Sequence, residues 1–179
     1  MAILTLRTEG DPCLSKKCKP VVAYDAKLAR LLDDMIDTMR DRDGVGLAAP
    51  QVGILRRAFV MDAGDGLVEM VNPEIIVADG LQRGEEGCLS FPNRGQGYVE
   101  RAEHVVVEAS DRHGDRYRHE GSGLFARAVL HEVDHLNGEV FLRLITEPPE
   151  DYIKEKEERE RENKRKQSAT GRRARGDTE

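Results

Sequence analysis

The chain lacks tryptophan, has only three cysteines, and contains no apolar run as long as a membrane-spanning helix requires. Its first nine residues have neither the basic start nor the long apolar stretch of a secretory signal. An odd and sparse set of cysteines, with no C-x-x-C pair, is typical of a reducing compartment and not of a disulfide framework. We therefore expect a cytoplasmic protein without a membrane partner.

The 179 residues suit a single domain. Aromatic residues make up 4% and hydrophobic residues 39%, whereas charged residues reach 35%, well above the usual quarter. The net charge of −6 is unevenly distributed: residues 164–179 hold six Lys/Arg against two acids, and this local +4 leaves −10 on residues 1–163. An acidic body argues against DNA or another nucleic acid as the main partner of the domain.

Apolar periodicity predicts two core helices. In residues 25–43, six Leu, Ile and Met side chains recur at three- and four-residue steps, with Asp25 as a possible N-cap and Gly44 just past the end. A second helix is predicted at Ser122–Asn137, beginning at a capping serine and ending before Gly138. Its apolar positions cover a wide arc, so we expect this helix to be largely buried.

Short β-branched or alternating segments fill the middle of the chain, with turn residues such as Asn72-Pro73 between them. The predicted strands are Arg57–Asp62, Leu67–Val71, Glu74–Ala78 and His104–Ala109. Connections this short favour antiparallel pairing. The expected fold is α+β, with antiparallel sheets packed around the second helix and an amphipathic helix near the N-terminus.

The domain is expected to span residues 1–147, and a charged tail residues 148–179. Thirteen of the sixteen residues in 151–166 are charged, which predicts a solvated helix that frays into a flexible basic end.

The second helix contains HEVDH at residues 131–135, an H-E-x-x-H pattern. The i,i+4 spacing puts the imidazoles of His131 and His135 on one helical face, where they can bind one metal ion, and Glu132 projects beside them. The alternative is a helix with two incidental histidines. Burying two histidines and an acid without partners would be costly, and this favours the metal site.

An open catalytic metal site usually takes three protein ligands. No histidine follows His135, and the nearby acid Glu139 lies beyond the predicted end of the helix. Cys88, in the segment EGCLS, is the remaining candidate, although a single cysteine is more often a small buried apolar side chain. Cys13 and Cys18 are assigned that structural role.

Three segments together closely resemble the signature motifs of the bacterial peptide deformylase family, in the family's order and at about its spacing. They are GVGLAAPQ at residues 44–51, EGCLS at residues 86–90 and HEVDHLNG at residues 131–138. The resemblance extends from about residue 11 to residue 144. It implies a metal-dependent hydrolase that removes the N-formyl group from the formyl-methionine of nascent polypeptides and releases formate.

The resemblance also implies roles for individual residues. One divalent metal ion would be bound by Cys88, His131 and His135. Glu132 would be the general base that later protonates the departing amine. The side-chain amide of Gln51 and the backbone N–H of Leu89 would stabilise the tetrahedral oxyanion.

Glycines in the first two motifs can admit an extended peptide, which would add like an extra strand at Val45, Gly46 and Gly87. The alternative is that these glycines only shape turns. The resemblance places the methionine side chain of the substrate against Val45, Leu124, Arg127 and Ala128. Core packing is the alternative for Leu124 and Ala128, and a stem lying along the surface is the alternative for Arg127.

The sequence departs from the family at Leu130, where the family usually has Gln immediately before the first histidine. This change removes a possible hydrogen bond near the metal. A thiolate and two imidazoles suit Zn²⁺, Ni²⁺, Co²⁺ or Fe²⁺, and the spacing does not choose among them. The resemblance implies Fe²⁺.

Two other functions stay open. A zinc endopeptidase would share H-E-x-x-H but would normally find its third ligand downstream. A nascent-chain-binding relative without activity would have lost a ligand or the base, and all four residues are present here. The basic end suggests docking on ribosomal RNA near the nascent-chain exit, with a solubilising, disordered end as the alternative.

Overall fold

The computed structural model describes residues 2–173, and of residues 163 and 165–173 it describes the backbone alone. The chain divides into two compact units, Met1–Ile145 and Thr146–Glu179. The described part is α+β with antiparallel sheets, as predicted. Its elements in chain order are α1 (Ala26–Asp41), β1 (Gly46–Ala48), β2 (Ala58–Asp62), β3 (Leu67–Asp79), β4 (Gln82–Glu86), β5 (Gly97–Arg101), β6 (His104–Ser110), β7 (Arg116–Ser122), α2 (Leu124–Asn137) and α3 (Glu150–Arg173).

The strands of the first unit form two sheets. The larger sheet has the order β1-β2-β3-β6-β7, and β4 pairs with β5 in a two-stranded sheet. Strand β1 lies at one end of its sheet, pairing Gly46 with Met61 of β2. Among the described residues, β1 and β4 therefore each have one edge that no other strand covers.

The larger sheet lies between α1 and α2. On β2, Phe59 and Met61 pack in the cluster that contains α2, whereas Val60 packs in the cluster that contains α1. This alternation follows from the two-residue period of a strand, which points successive side chains to opposite faces. Both helices are thereby fixed by apolar burial on a common sheet.

Strand β3 differs from the prediction, because it runs through Asn72-Pro73 without a turn. Asn72 has a positive φ of 51°, and the pairing of β3 with β6 shifts register between Val71 and Glu74. The Asn72 side chain makes hydrogen bonds to both backbone groups of Val21, each of 2.8 Å. Residues that signal a turn here form a bulge within a longer strand.

Helix α1 begins after Asp25, whose carboxylate accepts hydrogen bonds from the N–H groups of residues 27 and 28. Helix α2 begins two residues later than predicted, because Ser122 is the last residue of β7 and pairs with His104. The cap position is taken by Gly123, which has a φ of 60°. Gly138 ends α2 in the left-handed conformation, as the sequence indicates.

The second unit contains α3, which is longer than the predicted segment 151–166. Ion pairs at i,i+4 spacing line it, including Glu157 with Arg161 at 3.2 Å. Residues 174–179 and the side chains of 165–173, where most of the predicted basic end falls, lie outside the described residues. Within the described part of the chain, no helix is both long and apolar enough to cross a membrane.

Candidate active site

Three side chains that the sequence selects as metal ligands meet in the first unit. Cys88, His131 and His135 each offer a donor atom, and these atoms lie within 4.8 Å of one another. The Cys88 Sγ atom is 3.2 Å from His135 Nε2. Helix α2 supplies the two histidines one turn apart, and Cys88 follows the end of β4 in a turn closed by a 2.9 Å bond from the Phe91 N–H to the Cys88 carbonyl.

The donor set fits a divalent transition metal. One thiolate and two imidazoles form three corners of a tetrahedral site, with the fourth available to a water molecule or substrate. Burial, together with the charges of His131 and Arg101, lowers the pKa of His135 to about 3, so this imidazole is neutral and has a lone pair to donate. Burial also lowers the pKa of His131, but hydrogen bonds with Cys88 and Glu86 outweigh it and raise the value to about 10 in the metal-free chain.

Glu132 projects from α2 into the same region and is only 4% exposed. Its Oε2 atom has no hydrogen-bond partner among the described residues. Burial is the main cause that raises the pKa of Glu132, the charge of His131 opposes it and those of Glu86 and Asp134 add to it, and the net value is about 7. A carboxyl group that titrates near neutrality can both accept and return a proton.

Gly46 lies directly against Glu132. A Cβ atom built on Gly46 would overlap the Glu132 carboxylate and would lie 2.8 Å from its Cδ atom. The carbonyl of Val45 accepts a 2.8 Å hydrogen bond from Asp62 N–H of β2, so the peptide groups of Gly46 face the uncovered edge of β1. Glycine at this position therefore serves the approach of Glu132, beside any role in admitting a peptide.

A cavity of about 480 Å³ opens at this site. It brings together nearly all the residues that the sequence selects, and its lining includes Val45, Gly46, Gln51, Gly87, Cys88, Leu89, Leu124, Arg127, Ala128, His131 and Glu132. His135 does not line the cavity and is almost completely buried. Leu124 is 52% exposed, which places it at the rim, and Ala128 is buried.

Gln51 is held in one orientation. Its Oε1 atom accepts a 2.8 Å hydrogen bond from the Ala48 N–H. The amide nitrogen Nε2 therefore points the other way, 3.4 Å from Cys88 Sγ and 3.2 Å from Ser90 Oγ. Gln51 therefore presents a fixed N–H donor beside the metal-ligand cluster, which is the group formed by Cys88, His131 and His135.

Arg127 does not lie along the surface, although the sequence leaves that possibility open. Its side chain is about nine-tenths buried, and Nη1 donates to Glu86 Oε1 at 2.9 Å and to the Val99 carbonyl at 3.3 Å. Burial raises the pKa of Glu86, but the hydrogen bonds and charges of His131 and Arg101 outweigh burial and lower the pKa to about 2. Glu86 is therefore ionised. Leu130 packs on the core cluster between α2 and the larger sheet.

The sequence patterns single out neither Glu86 nor Arg101 for a role at the site. Glu86 stands in EGCLS, two residues before Cys88, and this position is the only signal that could have selected it. Arg101 is the last residue of β5 and has no local signal, because its partners Glu86 and Asp134 are 15 and 33 positions away in the chain.

Comparison with known proteins agrees with the geometry. The sequence profile of the family described as Polypeptide deformylase matches residues 3–150. A peptide deformylase of Caldicellulosiruptor bescii is 54% identical over 142 residues, which cover 79% of this chain and 85% of the relative.

Solved structures give the same result. The crystal structure of peptide deformylase from Thermotoga maritima has a TM-score of 0.80 and 43% identity, and the match covers 82% of this chain and 100% of that chain. A class I type b peptide deformylase from Acinetobacter baumannii with Met-Ala-Ser bound has a TM-score of 0.76 and 39% identity, covering 80% of this chain and 99% of that chain.

Proposed function

The chain belongs to the peptide deformylase family and removes the N-formyl group from nascent polypeptides, and we propose that Cys88, His131 and His135 hold its metal ion and that Glu132 is its general base. Peptide deformylases are metalloenzymes. The observation that carries the assignment is the gathering of three donor atoms within 4.8 Å of one another, beside a buried carboxylate at the cavity. A divalent cation bound there supplies a Lewis acid that acidifies a water molecule and polarises the formyl carbonyl.

Glu132 moves the proton in this proposal. Its carboxylate accepts a proton from the attacking water as the new C–O bond forms, and its raised pKa lets it hold that proton. When the C–N bond breaks, Glu132 gives the proton to the departing amine. The products are formate and a peptide with a free N-terminal methionine.

Two donors complete the site for the oxyanion that forms on the formyl carbon. The fixed Nε2 group of Gln51 is one, and its position beside Cys88 supports this role. The backbone N–H of Leu89, next to the same cysteine, is the other. Such preorganised donors stabilise the charge that develops in the transition state.

The substrate is an extended peptide that begins with formyl-methionine. The uncovered edges of β1 and β4 support strand-like binding beside Val45, Gly46 and Gly87. The methionine side chain then lies among Val45, Leu124, Arg127 and Ala128. The Met-Ala-Ser peptide in the Acinetobacter baumannii relative has the composition expected of such a product.

The assigned ion is Fe²⁺, on the resemblance to the family. Fe²⁺ reacts with oxygen, whereas Zn²⁺ has no redox chemistry. Metal analysis of protein purified without oxygen, together with activity before and after exposure to air, tests this choice. A protein that holds only zinc and works at full rate would contradict it.

The catalytic domain is assigned to residues 1–147 and the charged tail to residues 148–179, in a cytoplasmic enzyme. The basic end of the tail supports docking on ribosomal RNA. The mixed acidic and basic residues of the whole tail also fit a segment that only keeps the protein soluble. Truncation after Glu150 distinguishes these roles. Ribosome co-sedimentation falls if the tail docks and is unchanged if it only keeps the protein soluble.

Formate release from a formyl-Met peptide tests the proposed function. The wild type releases formate, and Glu132→Gln loses about 10²–10⁴-fold in kcat while keeping its metal, because general-base catalysis has this magnitude. Glu139→Gln, the same change at an exposed position just past α2, is the matched control. Equal rates for wild type and Glu132→Gln would refute the mechanism, and cleavage of an internal peptide bond would favour an endopeptidase.

A further inference from the structure

A buried group of charged side chains meets the Nδ1 side of His131, and the mechanism above uses only one of its members, Arg127. The group joins two arginines to two acids that come from β4, β5 and α2. Its members are Glu86, Arg101, Arg127 and Asp134.

Glu86 is the centre of this group. Its Oε2 atom lies 3.0 Å from His131 Nδ1. Arg101 binds both carboxylate oxygens, through Nε at 2.8 Å and Nη2 at 2.9 Å. Arg127 donates from Nη1 to Oε1 at 2.9 Å. One carboxylate therefore meets two guanidinium groups and one imidazole.

Arg101 also links the group to Asp134 on α2. Arg101 Nη1 donates to Asp134 Oδ2 at 2.6 Å, and Asp134 immediately precedes His135 on α2. The Glu86 and Arg101 side chains are 4% and 6% exposed, so their pairing is shielded from solvent. A buried carboxylate is retained where charged partners and hydrogen bonds compensate for its lost hydration, and both are present here.

His131 and His135 differ in the hydrogen bonding of their Nδ1 atoms. An ionised carboxylate only accepts hydrogen bonds, so Glu86 places the ring proton of His131 on Nδ1 and leaves the Nε2 lone pair for the metal side. Among the described residues, Nδ1 of His135 has no hydrogen-bond partner. The Leu130 side chain has no polar group to offer, and Glu86 makes the bond to His131 from the end of β4.

We propose that Glu86 is a positioning residue that fixes the ring of His131 for metal binding, and that Arg101 and Arg127 hold Glu86 in place. This inference rests on the proposed function, because it takes His131 to be a metal ligand. Carboxylates that bind the second nitrogen of a ligating histidine change metal affinity by about 10–100-fold when they are lost.

Co²⁺ titration of the metal-free protein against a competing chelator, with the visible Co²⁺ spectrum recorded at each step, tests the proposal. Glu86→Gln keeps the shape of the side chain and removes its charge, and we expect Co²⁺ to bind about 10–100-fold more weakly, with an altered spectrum. Glu100→Gln makes the same change at an exposed site on neighbouring β5 and should bind like the wild type.

A purely structural role would give a different pattern. It would lower the unfolding free energy of the metal-free protein and leave the Co²⁺ affinity unchanged. An affinity within twofold of the wild type in folded Glu86→Gln overturns the proposal. If that variant does not fold, Glu86→Asp decides: its carboxylate can still pair with the arginines but is one methylene short of His131, and wild-type affinity there overturns the proposal too.

His131→Ala separates the inference from the metal site itself. If this variant binds Co²⁺ as the wild type does, His131 is not a ligand and the proposed metal site is wrong. If it loses Co²⁺ binding while Glu86→Gln binds normally, the metal site stands and the role of Glu86 fails.

Discussion

Glu132 packs against the backbone of Gly46, so closely that a Cβ atom on Gly46 would overlap its carboxylate. Gly46 belongs to the edge strand β1, whereas Glu132 belongs to α2, and 86 positions separate them in the chain. Both residues line the same cavity. This close contact with the Gly46 backbone keeps the carboxylate of Glu132, the assigned base, in one position beside the metal-ligand cluster.

We expect Gly46→Ala to lower kcat for formate release by about 10²-fold, within the range that general-base catalysis spans, because the added methyl group displaces the Glu132 carboxylate. The metal content should stay at the wild-type level, since the atoms nearest to the added methyl group belong to Glu132 and not to the three ligands. Formate release and metal analysis on the same samples measure both effects.

The double variant with Glu132→Gln provides the control. If Gly46 acts through Glu132, adding Gly46→Ala to Glu132→Gln reduces kcat no further. A full additional loss would show that the methyl group harms substrate binding instead.

Removing the metal ion should abolish formate release and lower the midpoint of thermal unfolding, because the ion binds the folded chain and not the unfolded one. Adding back a divalent metal should restore both properties. In Cys88→Ala the added metal should shift the midpoint far less, since one of three ligands is lost. A metal-dependent shift as large as that of the wild type would contradict the assignment of Cys88.

Stability should fall at alkaline pH because of Cys18. Burial raises the pKa of this thiol from 9.0 to about 11, although Arg57 opposes the shift. Below pH 9 the thiol is neutral in both states, and between pH 9 and about 11 the unfolded chain alone ionises, which favours unfolding. The loss should reach about 2 kcal/mol, since one pKa unit corresponds to about 1.4 kcal/mol.

Urea unfolding under reducing conditions, from pH 8 to pH 11, measures this loss. Cys18→Ala should have a lower unfolding free energy at pH 8 and a flatter pH dependence above pH 9. An equal alkaline loss in wild type and variant would assign it to other groups.

Gly121 of β7 has no room for a side chain. A Cβ atom there would lie 2.9 Å from Cγ of Phe125, whose ring stacks on His119 with 4.6 Å between ring centroids. We expect Gly121→Ala to cost about 1–3 kcal/mol of unfolding free energy, the usual effect of overpacking. In the Phe125→Leu background the same substitution should cost less, and an equal cost would show that the ring is not the obstacle.

The helices illustrate what a local pattern can predict. The spacing of apolar residues in α1 and the i,i+4 spacing of His131 and His135 depend on one helical period, so neighbouring residues carry the information. Ser122 shows the limit of local patterns. It is a good N-capping residue, yet in the structure it is the last residue of β7. Pairing with His104 decided its place, and that partner is eighteen positions away.

Edge and polar strands were the elements missed. Strands β4 and β7 read QRGEE and RYRHEGS, which lack a clear alternation of apolar residues. Their place is set by pairing with β5 and β6. Such pairing forms between distant segments, and a single segment does not encode its partner.

By itself, the sequence determined the α+β class, the two core helices, the family resemblance through three motifs and the residues that we propose to carry the chemistry. Tertiary structure alone decided that Cys88 reaches the histidines, that Glu132 fits against Gly46, and that Glu86 of β4 binds His131 of α2. Helical periodicity and motif spacing are properties of adjacent residues. The positions of buried charges and close contacts depend instead on which distant segments pack together.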